Sequence, residues 1–219
     1  MRRILVALGL AGLFWGAQAL CSSQVGAFKT SMSGRLIVPD PQAAKLVVSD
    51  FNNLWADVLW VQVLIHNGDQ HMAVDEASRD FGGMLEALEL ATDFDPRFHE
   101  AAIIGSWLLT DVGRLDDARQ LLTKGMLSNP SMWIYPYQLG FVEFLYARRY
   151  AQAAEYFSRA ASLPDGPPAA ARMAAAMYSK SNKADMAINA WKNIHAKGDA
   201  RIRGIARRAL AKLGVAVDP

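Results

Sequence analysis

Few side chains in this sequence are placed to do chemistry, and their spacing favours structural roles. The 219-residue chain contains four histidines and one cysteine. His66 and His71 flank Asp69 in a segment that we expect to be a long turn. A metal site needs further imidazole, thiolate or carboxylate ligands, which the neighbouring sequence does not supply as a second cluster. We therefore interpret the two histidines as solvated turn residues and predict no metal.

Catalytic motifs are also missing from the sequence. His99-Glu100 does not open a His-Glu-x-x-His zinc motif, because Ile103 stands at the place of the second histidine. The chain has no Gly-x-Ser-x-Gly nucleophile elbow, no phosphate-binding loop and no dinucleotide-binding glycine pattern. We predict neither an enzyme nor a bound cofactor.

Composition narrows the class of protein further. Hydrophobic residues make up 52% and charged residues 20% of the chain. This chain is too apolar for a disordered protein and long enough to bury a core. The single cysteine excludes an intrachain disulfide framework. A formal charge of +2 is too small to indicate a protein that binds nucleic acid.

The N-terminus has the pattern of a secretory signal peptide. Arg2 and Arg3 precede an uncharged apolar run over residues 4–17, and Ala17-Gln18-Ala19 follows. The run is shorter than the roughly 20 apolar residues of a comfortable membrane span. We predict that residues 1–19 are a signal peptide and that the chain is exported to the periplasm or the extracytoplasmic face of a membrane. The alternative is an uncleaved single-pass anchor, through which the N-terminus would associate with the membrane.

Cys21 lies just after the predicted cleavage point. A lipoprotein signal has a small residue immediately before its acylated cysteine, and here that residue is Leu20, which disfavours lipidation of Cys21. Residues 20–46 mix Ser, Gly and Pro with one apolar patch, Leu36-Ile37-Val38. We predict a flexible linker over 20–46, acting as a tether or as a lightly docked arm.

The rest of the chain carries an internal repeat. Pro96, Pro130 and Pro164 stand 34 residues apart. Two small residues recur between them at nearly the same period, and a bulky apolar residue follows the second small one by four positions. The first small residues are Gly105, Gly140 and Ala174, the second are Ala118, Ala153 and Ala187, and the bulky ones are Leu122, Phe157 and Trp191. This spacing predicts pairs of helices that cross closely at small residues and end at proline.

These motifs resemble the tetratricopeptide repeat family. Leu139-Gly140, the stretch Ala-Ala-Glu-Tyr-Phe-Ser-Arg-Ala over 153–160, and Asp95-Pro96 are similar to that family's Leu-Gly, its Ala-x-x-x-Phe-x-x-Ala and its closing proline. The resemblance covers residues 48–213. It implies an all-α fold, a right-handed helical solenoid of helix–turn–helix repeats, and a role in binding protein partners.

The predicted organisation divides the solenoid into repeat units and a cap. We expect units over 47–96, 97–130, 131–165 and 166–198, a capping helix over 199–213 and a tail over 214–219. In the first unit we expect a helix over 48–66, a long connection through Asn67-Gly68-Asp69, and an extended or kinked second helix. The capping helix is expected to be apolar on its inner face and charged on its outer face, because nothing packs beyond it.

Charges are divided unevenly between the two halves of the chain. Residues 40–100 contain twelve acidic and three basic side chains, whereas residues 101–219 contain nine acidic and sixteen basic ones. Five cations lie close together in the last predicted helix, namely Arg201, Arg203, Arg207, Arg208 and Lys212. This basic end could orient a charged partner, favour head-to-tail self-association or dock near anionic lipid headgroups. For each charge taken alone, a solvated helix face is the simpler interpretation.

The family resemblance implies a concave groove lined by the first helix of each unit. Aligned on Gly140, the groove positions in three successive units are Ser106 and Leu109, then Tyr137, Phe141 and Phe144, then Ala175 and Tyr178. An aromatic stripe at helical spacing is also what a core-facing surface looks like, so both interpretations stay open.

The sequence thus predicts an exported or membrane-tethered adaptor that binds an unidentified protein partner in its groove, during envelope assembly or transport. The alternative is a permanent structural subunit of a membrane protein complex, held by an uncleaved N-terminal helix.

Overall fold

Helices form all the regular structure in the part of the chain that the computed structural model describes, which is residues 36–40 and 51–216. The first two pairs are α1 (Asn52–Met72) with α2 (Met84–Phe94), and α3 (His99–Asp111) with α4 (Leu115–Ser128). The next two are α5 (Ile134–Phe141) with α6 (Tyr150–Ser162), and α7 (Pro168–Lys180) with α8 (Ala184–Lys197). The last helix is α9 (Ala200–Lys212). A π-helical turn, Val142–Tyr146, continues α5, and a short 3-10 turn, Glu76–Ser78, separates α1 from α2.

The helices pack mainly on their neighbours in the chain. Each helix contacts the next one, and α4 also contacts α2 and the π-turn after α5. The buried side chains follow the same order, from a group between α1 and α2 to a last group between α7, α8 and α9. This arrangement confirms an all-α solenoid of helix–turn–helix units, in which stability is the sum of units and the interfaces between them.

The small residues of the repeat lie where helices approach most closely. A Cβ added to Gly105 on α3 would stand 2.7 Å from Leu88 on α2 and 3.3 Å from Leu121 on α4. One added to Gly140 on α5 would stand 2.7 Å from the ring of Phe157 on α6. The glycines therefore let large apolar side chains of the neighbouring helices lie directly on the helix backbone.

The turns inside the units repeat their backbone conformation. Gly113, Arg148 and Asn182 each stand between the two helices of a unit, and their φ angles are 80°, 55° and 56°. After α3 the backbone N–H of Arg114 donates to the carbonyl of Leu109 at 2.8 Å. A left-handed residue followed by such a long backward hydrogen bond is the common way to satisfy the last carbonyls of a helix.

The first unit differs from its prediction. The long turn expected at Asn67-Gly68-Asp69 is wrong, because α1 continues through these residues to Met72. The extended or kinked second helix is also wrong, since α2 is a short helix of 11 residues. Glycine in a helix costs only about 1 kcal/mol relative to alanine, and tertiary contacts offset it. The Gln70 side chain is buried and accepts a hydrogen bond from the backbone N–H of Asp80 at 2.7 Å, which ties the end of α1 to the loop before α2.

A short part of the predicted linker is docked on the solenoid. Within residues 36–40, Leu36 and Val38 pack against the helical core, and both lie close to Gly83 at the start of α2. Val38 also packs against the cluster of Leu59 and Phe94. The predicted signal peptide, Cys21 and the remainder of the linker lie outside the described residues.

The last helix closes the solenoid as the end of such a fold requires. Ala206 and Leu210 are buried against α8, while the charged side chains of α9 face solvent. Asp199 caps its N-terminus by accepting the backbone N–H of Ile202 at 2.8 Å. Across residues 36–40 and 51–216, none of the helices combines the length and the apolar character that a membrane crossing needs.

Candidate interaction surface

The aromatic residues predicted for the third unit form a packed cluster. Tyr137 and Phe141 on α5 are partly buried, and both rings meet the fully buried ring of Phe157 edge-on, at centroid distances of 5.6 and 5.2 Å. The two rings also meet each other at 5.0 Å. Such edge-to-face contacts add to the packing of the unit. Tyr137 and Phe141 therefore hold α5 on α6, and only their remaining exposed edges could contact a partner.

Phe144 is partly buried and packs against the same cluster. Its ring is 6.2 Å from that of Tyr150, and the ammonium group of Lys180 stands 5.7 Å from the Phe144 ring and 5.3 Å from the Tyr150 ring. An ammonium group over an aromatic face is attracted by the ring's electrons. Because Lys180 is the last residue of α7, this contact places an exposed cation of the fourth unit beside the third unit.

Three of the predicted groove residues are wrong. Ser106 and Leu109 on α3 have no exposed surface, and the Ser106 hydroxyl donates to the carbonyl of Ile103 at 2.6 Å. A side chain without exposed surface cannot contact a partner. Ala175 on α7 is likewise fully buried. Tyr178 is only partly buried, and its hydroxyl accepts a 3.4 Å hydrogen bond from Ser158.

The sequence prediction missed Trp107, which is the exposed aromatic residue of α3. Its side chain is 51% exposed, and its indole N–H donates to Oε1 of Gln138 on α5 at 3.1 Å. Trp107 is one position after the predicted Ser106, and one residue is a rotation of about 100° on a helix. A signal existed in the sequence, since a large aromatic directly follows the small pair Gly105-Ser106.

A further exposed apolar pair follows on the π-turn. Leu145 is 54% and Tyr146 51% exposed. We call the outward side of α3, α5 and α7 the first-helix face. We define this face by Trp107, Gln138, Phe144, Leu145 and Lys180.

A buried carboxylate also escaped the sequence prediction. Glu143 on the π-turn is 3% exposed and accepts a hydrogen bond from Nε of Arg119 on α4 at 2.6 Å. A guanidinium nitrogen of Arg149 stands 3.8 Å from its other oxygen. This ion pair joins the second and third units.

The cations of the predicted basic end are exposed on α9. All five predicted cations of α9 face solvent, and none pairs with a carboxylate among the residues that the structure describes. Arg203 and Arg207 line a shallow cavity of about 200 Å³ with His195 of α8. A larger cavity of about 370 Å³ lies between α7, α8 and α9, where Arg172 and Lys197 stand with Asp199.

The histidines do not assemble a metal site in the described ranges. His66 is buried on α1, so its prediction as a solvated turn residue is wrong, and neither of its ring nitrogens has a hydrogen-bond partner. His71 is exposed, and its ring nitrogens contact the carbonyl of Asn67 at 2.9 Å and the carboxylate of Asp111 at 3.2 Å. No group of three or more His, Cys, Asp or Glu side chains is close enough there to hold an ion.

Two solved structures of the protein MamA are similar to the chain. One is 23% identical, with 67% of this chain and 84% of that protein covered, and the other is 18% identical, with 82% and 87% covered. Both superpositions have a TM-score of 0.45, and the solenoid assignment rests on the chain's own helices. No protein-family model matches the sequence, and no curated protein does.

Proposed function

We propose that the chain is a protein-binding scaffold without catalytic activity, which holds a segment of a partner protein on the first-helix face. The observation that carries this proposal is Trp107. Half of its surface is open, yet its indole is fixed by the hydrogen bond to Gln138 in the next unit. Large aromatic side chains held in one orientation are the usual anchors of protein interfaces, because little rotamer freedom is lost when a partner covers them.

The charges around the first-helix face define the chemistry of the partner. Glu100 and Asp111 are exposed on α3, whereas the ammonium of Lys180 stands over the rings at the other side. A segment bound across the face would meet negative charge first, then the apolar Trp107 and Leu145, then positive charge. We infer a partner segment with an apolar or aromatic centre, a basic residue directed to α3 and an acidic residue directed to α7.

The place of action belongs to the same proposal. The arginine pair, the apolar run and Ala17-Gln18-Ala19 support export, so the scaffold would work in envelope assembly or transport. A permanent subunit of a membrane complex, anchored by residues 1–19, is the second candidate, and the same apolar run favours it.

Mass spectrometry of the native N-terminus distinguishes the exported scaffold from the anchored subunit. A start at Leu20 supports the exported scaffold, a start at Met1 supports the anchored subunit, and a diacylated Cys21 would indicate a lipoprotein.

Site-specific photocrosslinking tests the binding face. The full chain is expressed in its native cells with a photoreactive phenylalanine analogue at Trp107 or, as the control, at Leu127. Leu127 is 73% exposed but lies on α4, a second helix. We expect an adduct with one partner protein from position 107 and none from position 127. The same adduct from both positions, or from neither, would contradict the first-helix face as the binding site.

Alanine replacement complements the crosslink. Replacing Trp107 by alanine removes the anchor, and we expect it to weaken binding of the crosslinked partner at least about tenfold, which is the loss of a typical interface anchor. Leu127→Ala should leave this affinity unchanged. Circular dichroism of both variants should show that the helices persist.

A further inference from the structure

Helix α1 carries two apolar faces, and only one of them is packed within the part of the chain that the structure describes. Ala56, Leu59 and Val63 are buried on the side of α2. The opposite side is open to solvent, with Leu54 57%, Val61 50% and Ile65 39% exposed. Val58 and Met72 continue this side, which we call the α1 seam: Leu54, Val58, Val61, Ile65, Gly68 and Met72.

The spacing of the α1 seam is that of a helix that pairs with another helix. Its members alternate at steps of four and three residues, which is the a and d pattern of a coiled coil. β-Branched side chains stand at two of the a positions, Val58 and Ile65. Gly68 has no atom within 4 Å of an added Cβ, so another helix can approach closely there.

An exposed apolar seam on the terminal helix of a solenoid is unfavourable in water, so we expect another molecule to bury it. Terminal units normally present a polar outer surface, and α9 does so with its charged face. The docked residues 36–40 leave the α1 seam open, because Leu36 and Val38 pack at the start of α2 and on the cluster of Leu59 and Phe94. The seam is about 27 Å long at 1.5 Å per residue.

The positions of the seam residues are symmetric about the middle of α1. About a midpoint at Val63, Leu54 stands opposite Met72, Val58 opposite Gly68, and Val61 opposite Ile65. When two α1 helices run antiparallel, the layers therefore pair leucine with methionine, valine with glycine, and valine with isoleucine. A surface complementary to itself is what a two-fold interface requires.

The charges beside the seam favour the same occupant. Asp57 lies on one edge of the seam and Asp69 on the other, and the His71 imidazole already contacts the Asp111 carboxylate of its own chain at 3.2 Å. The sequence has no Lys or Arg between Lys45 and Arg79. Anionic lipid headgroups would find no cation on α1 and two carboxylates, Asp57 and Asp69, so a membrane surface matches the seam less well.

We propose that the α1 seam binds the α1 seam of a second copy of this chain, antiparallel, and so forms a two-fold dimer. One helix pair is smaller than the roughly 800 Å² per partner of a standard interface, so the association depends on protein concentration. The first-helix face lies on other helices and stays available in the dimer.

Disulfide crosslinking between two tagged copies tests this dimer. The full chain with Cys21→Ser is co-expressed in two versions whose tags differ in size, both carrying V61C and I65C. In the antiparallel pair these cysteines face each other across the copies, so oxidation should give a product that contains both tags. V61C alone should not crosslink, because its two copies are offset along the axis beyond disulfide reach. A mixed-tag product from V61C alone would show parallel pairing, and absence of any mixed-tag product would overturn the proposal.

Charge insertion provides the second measurement. V61E with I65E places four carboxylates in the apolar interface, and we expect the dimer, measured by sedimentation of the Cys21→Ser chain, to weaken at least about 100-fold. N52E with N53E adds the same charge at the start of α1 but off the seam, and should leave the dimer intact. If the wild-type chain sediments as a monomer at all concentrations, or if V61E with I65E abolishes only flotation with phosphatidylcholine vesicles, the seam does not bind a second copy.

Discussion

The guanidinium of Arg119 on α4 donates from Nε to Oε1 of Glu143 on the π-turn at 2.6 Å, and the Glu143 side chain is only 4% exposed. This contact joins two successive units through a buried charge pair. Burial by itself lowers the pKa of Arg119, but the hydrogen bond and the negative charge of Glu143, followed by those of Asp116, outweigh it, so that this pKa is raised above its ordinary value. The guanidinium of Arg119 therefore stays charged, and its hydrogen bond to Glu143 holds the second and third units together.

Removing one partner of this pair should destabilise the solenoid strongly. Arg119→Met leaves the Glu143 carboxylate buried without its main partner, which costs about 3–5 kcal/mol of unfolding free energy. Urea unfolding followed by circular dichroism measures the loss. Replacing both residues, Arg119→Met with Glu143→Leu, should recover most of it, because no buried charge then remains.

The control for this prediction is the exposed pair of Lys183 and Glu155. Its ammonium and carboxylate are 2.9 Å apart, with the side chains 36% and 61% exposed, and it also joins successive units. Exposed pairs contribute little because water screens both charges. If Lys183→Met destabilises the chain as much as Arg119→Met, the buried pair has no special role.

The close approach at Gly140 predicts a second effect on stability. Gly140→Ala would place a Cβ 2.7 Å from the Phe157 ring, which forces α5 and α6 apart and should cost about 1–3 kcal/mol. Gly204→Ala is the matched control on α9, where the nearest atom to an added Cβ is the flexible end of Arg208 at 3.8 Å. Alanine there should stabilise the chain by about 0.5–1 kcal/mol. Equal thermal unfolding curves for the two variants would contradict the helix crossing.

The repeat could be predicted from the sequence, whereas the orientation of its helix faces could not. Prolines and small residues at a fixed period report the helix pairs because each performs a local steric task. Ser106 and Trp107 show that the sequence did not reveal which side of α3 is buried. They differ by one residue, or about 100° on the helix, and only tertiary packing decides which of them is buried.

Two other features left no usable signal in the sequence. The first and second small residues are 13 positions apart in all three units, so the π-turn that places Glu143 does not alter the spacing. Gly68 looks like a turn residue, yet α1 continues through it because the buried Gln70 fixes the following loop. Local preferences of about 1 kcal/mol are outweighed by such contacts.

The backbone conformation of Arg148 predicts that glycine at this position stabilises the folded chain. It occupies a left-handed turn position with φ of 55°, which Gly113 fills in the preceding unit with φ of 80°. An L side chain is strained there, whereas glycine is not. Arg148→Gly should therefore raise the unfolding free energy by about 0.5–1 kcal/mol after the entropy of glycine in the unfolded chain is subtracted. Gly113→Ala should change it in the opposite direction. A lower unfolding temperature for Arg148→Gly would refute the argument from strain.

The buried phenol of Tyr135 predicts how the unfolding free energy changes at alkaline pH. Its side chain is 1% exposed, and its hydroxyl is 2.8 Å from Nδ1 of His99. Burial, and then the negative charge of Glu100, raise the pKa of Tyr135 from 10.0 to about 12. Below pH 10 the phenol is protonated in both the folded and the unfolded chain, so its contribution to the unfolding free energy is fully present. Between pH 10 and pH 12 only the unfolded chain loses the proton, and this contribution disappears.

Tyr135→Phe removes the titrating group and isolates this effect. We expect the variant to be less stable at neutral pH, because His99 loses its partner, but its unfolding free energy should fall less steeply than that of the wild type between pH 10 and pH 12. Urea unfolding across this range, with Gly204→Ala as a variant that changes stability without changing a titrating group, measures the two slopes. Parallel slopes for Tyr135→Phe and the wild type would mean that the Tyr135 phenol ionises as readily in the folded chain as in the unfolded one.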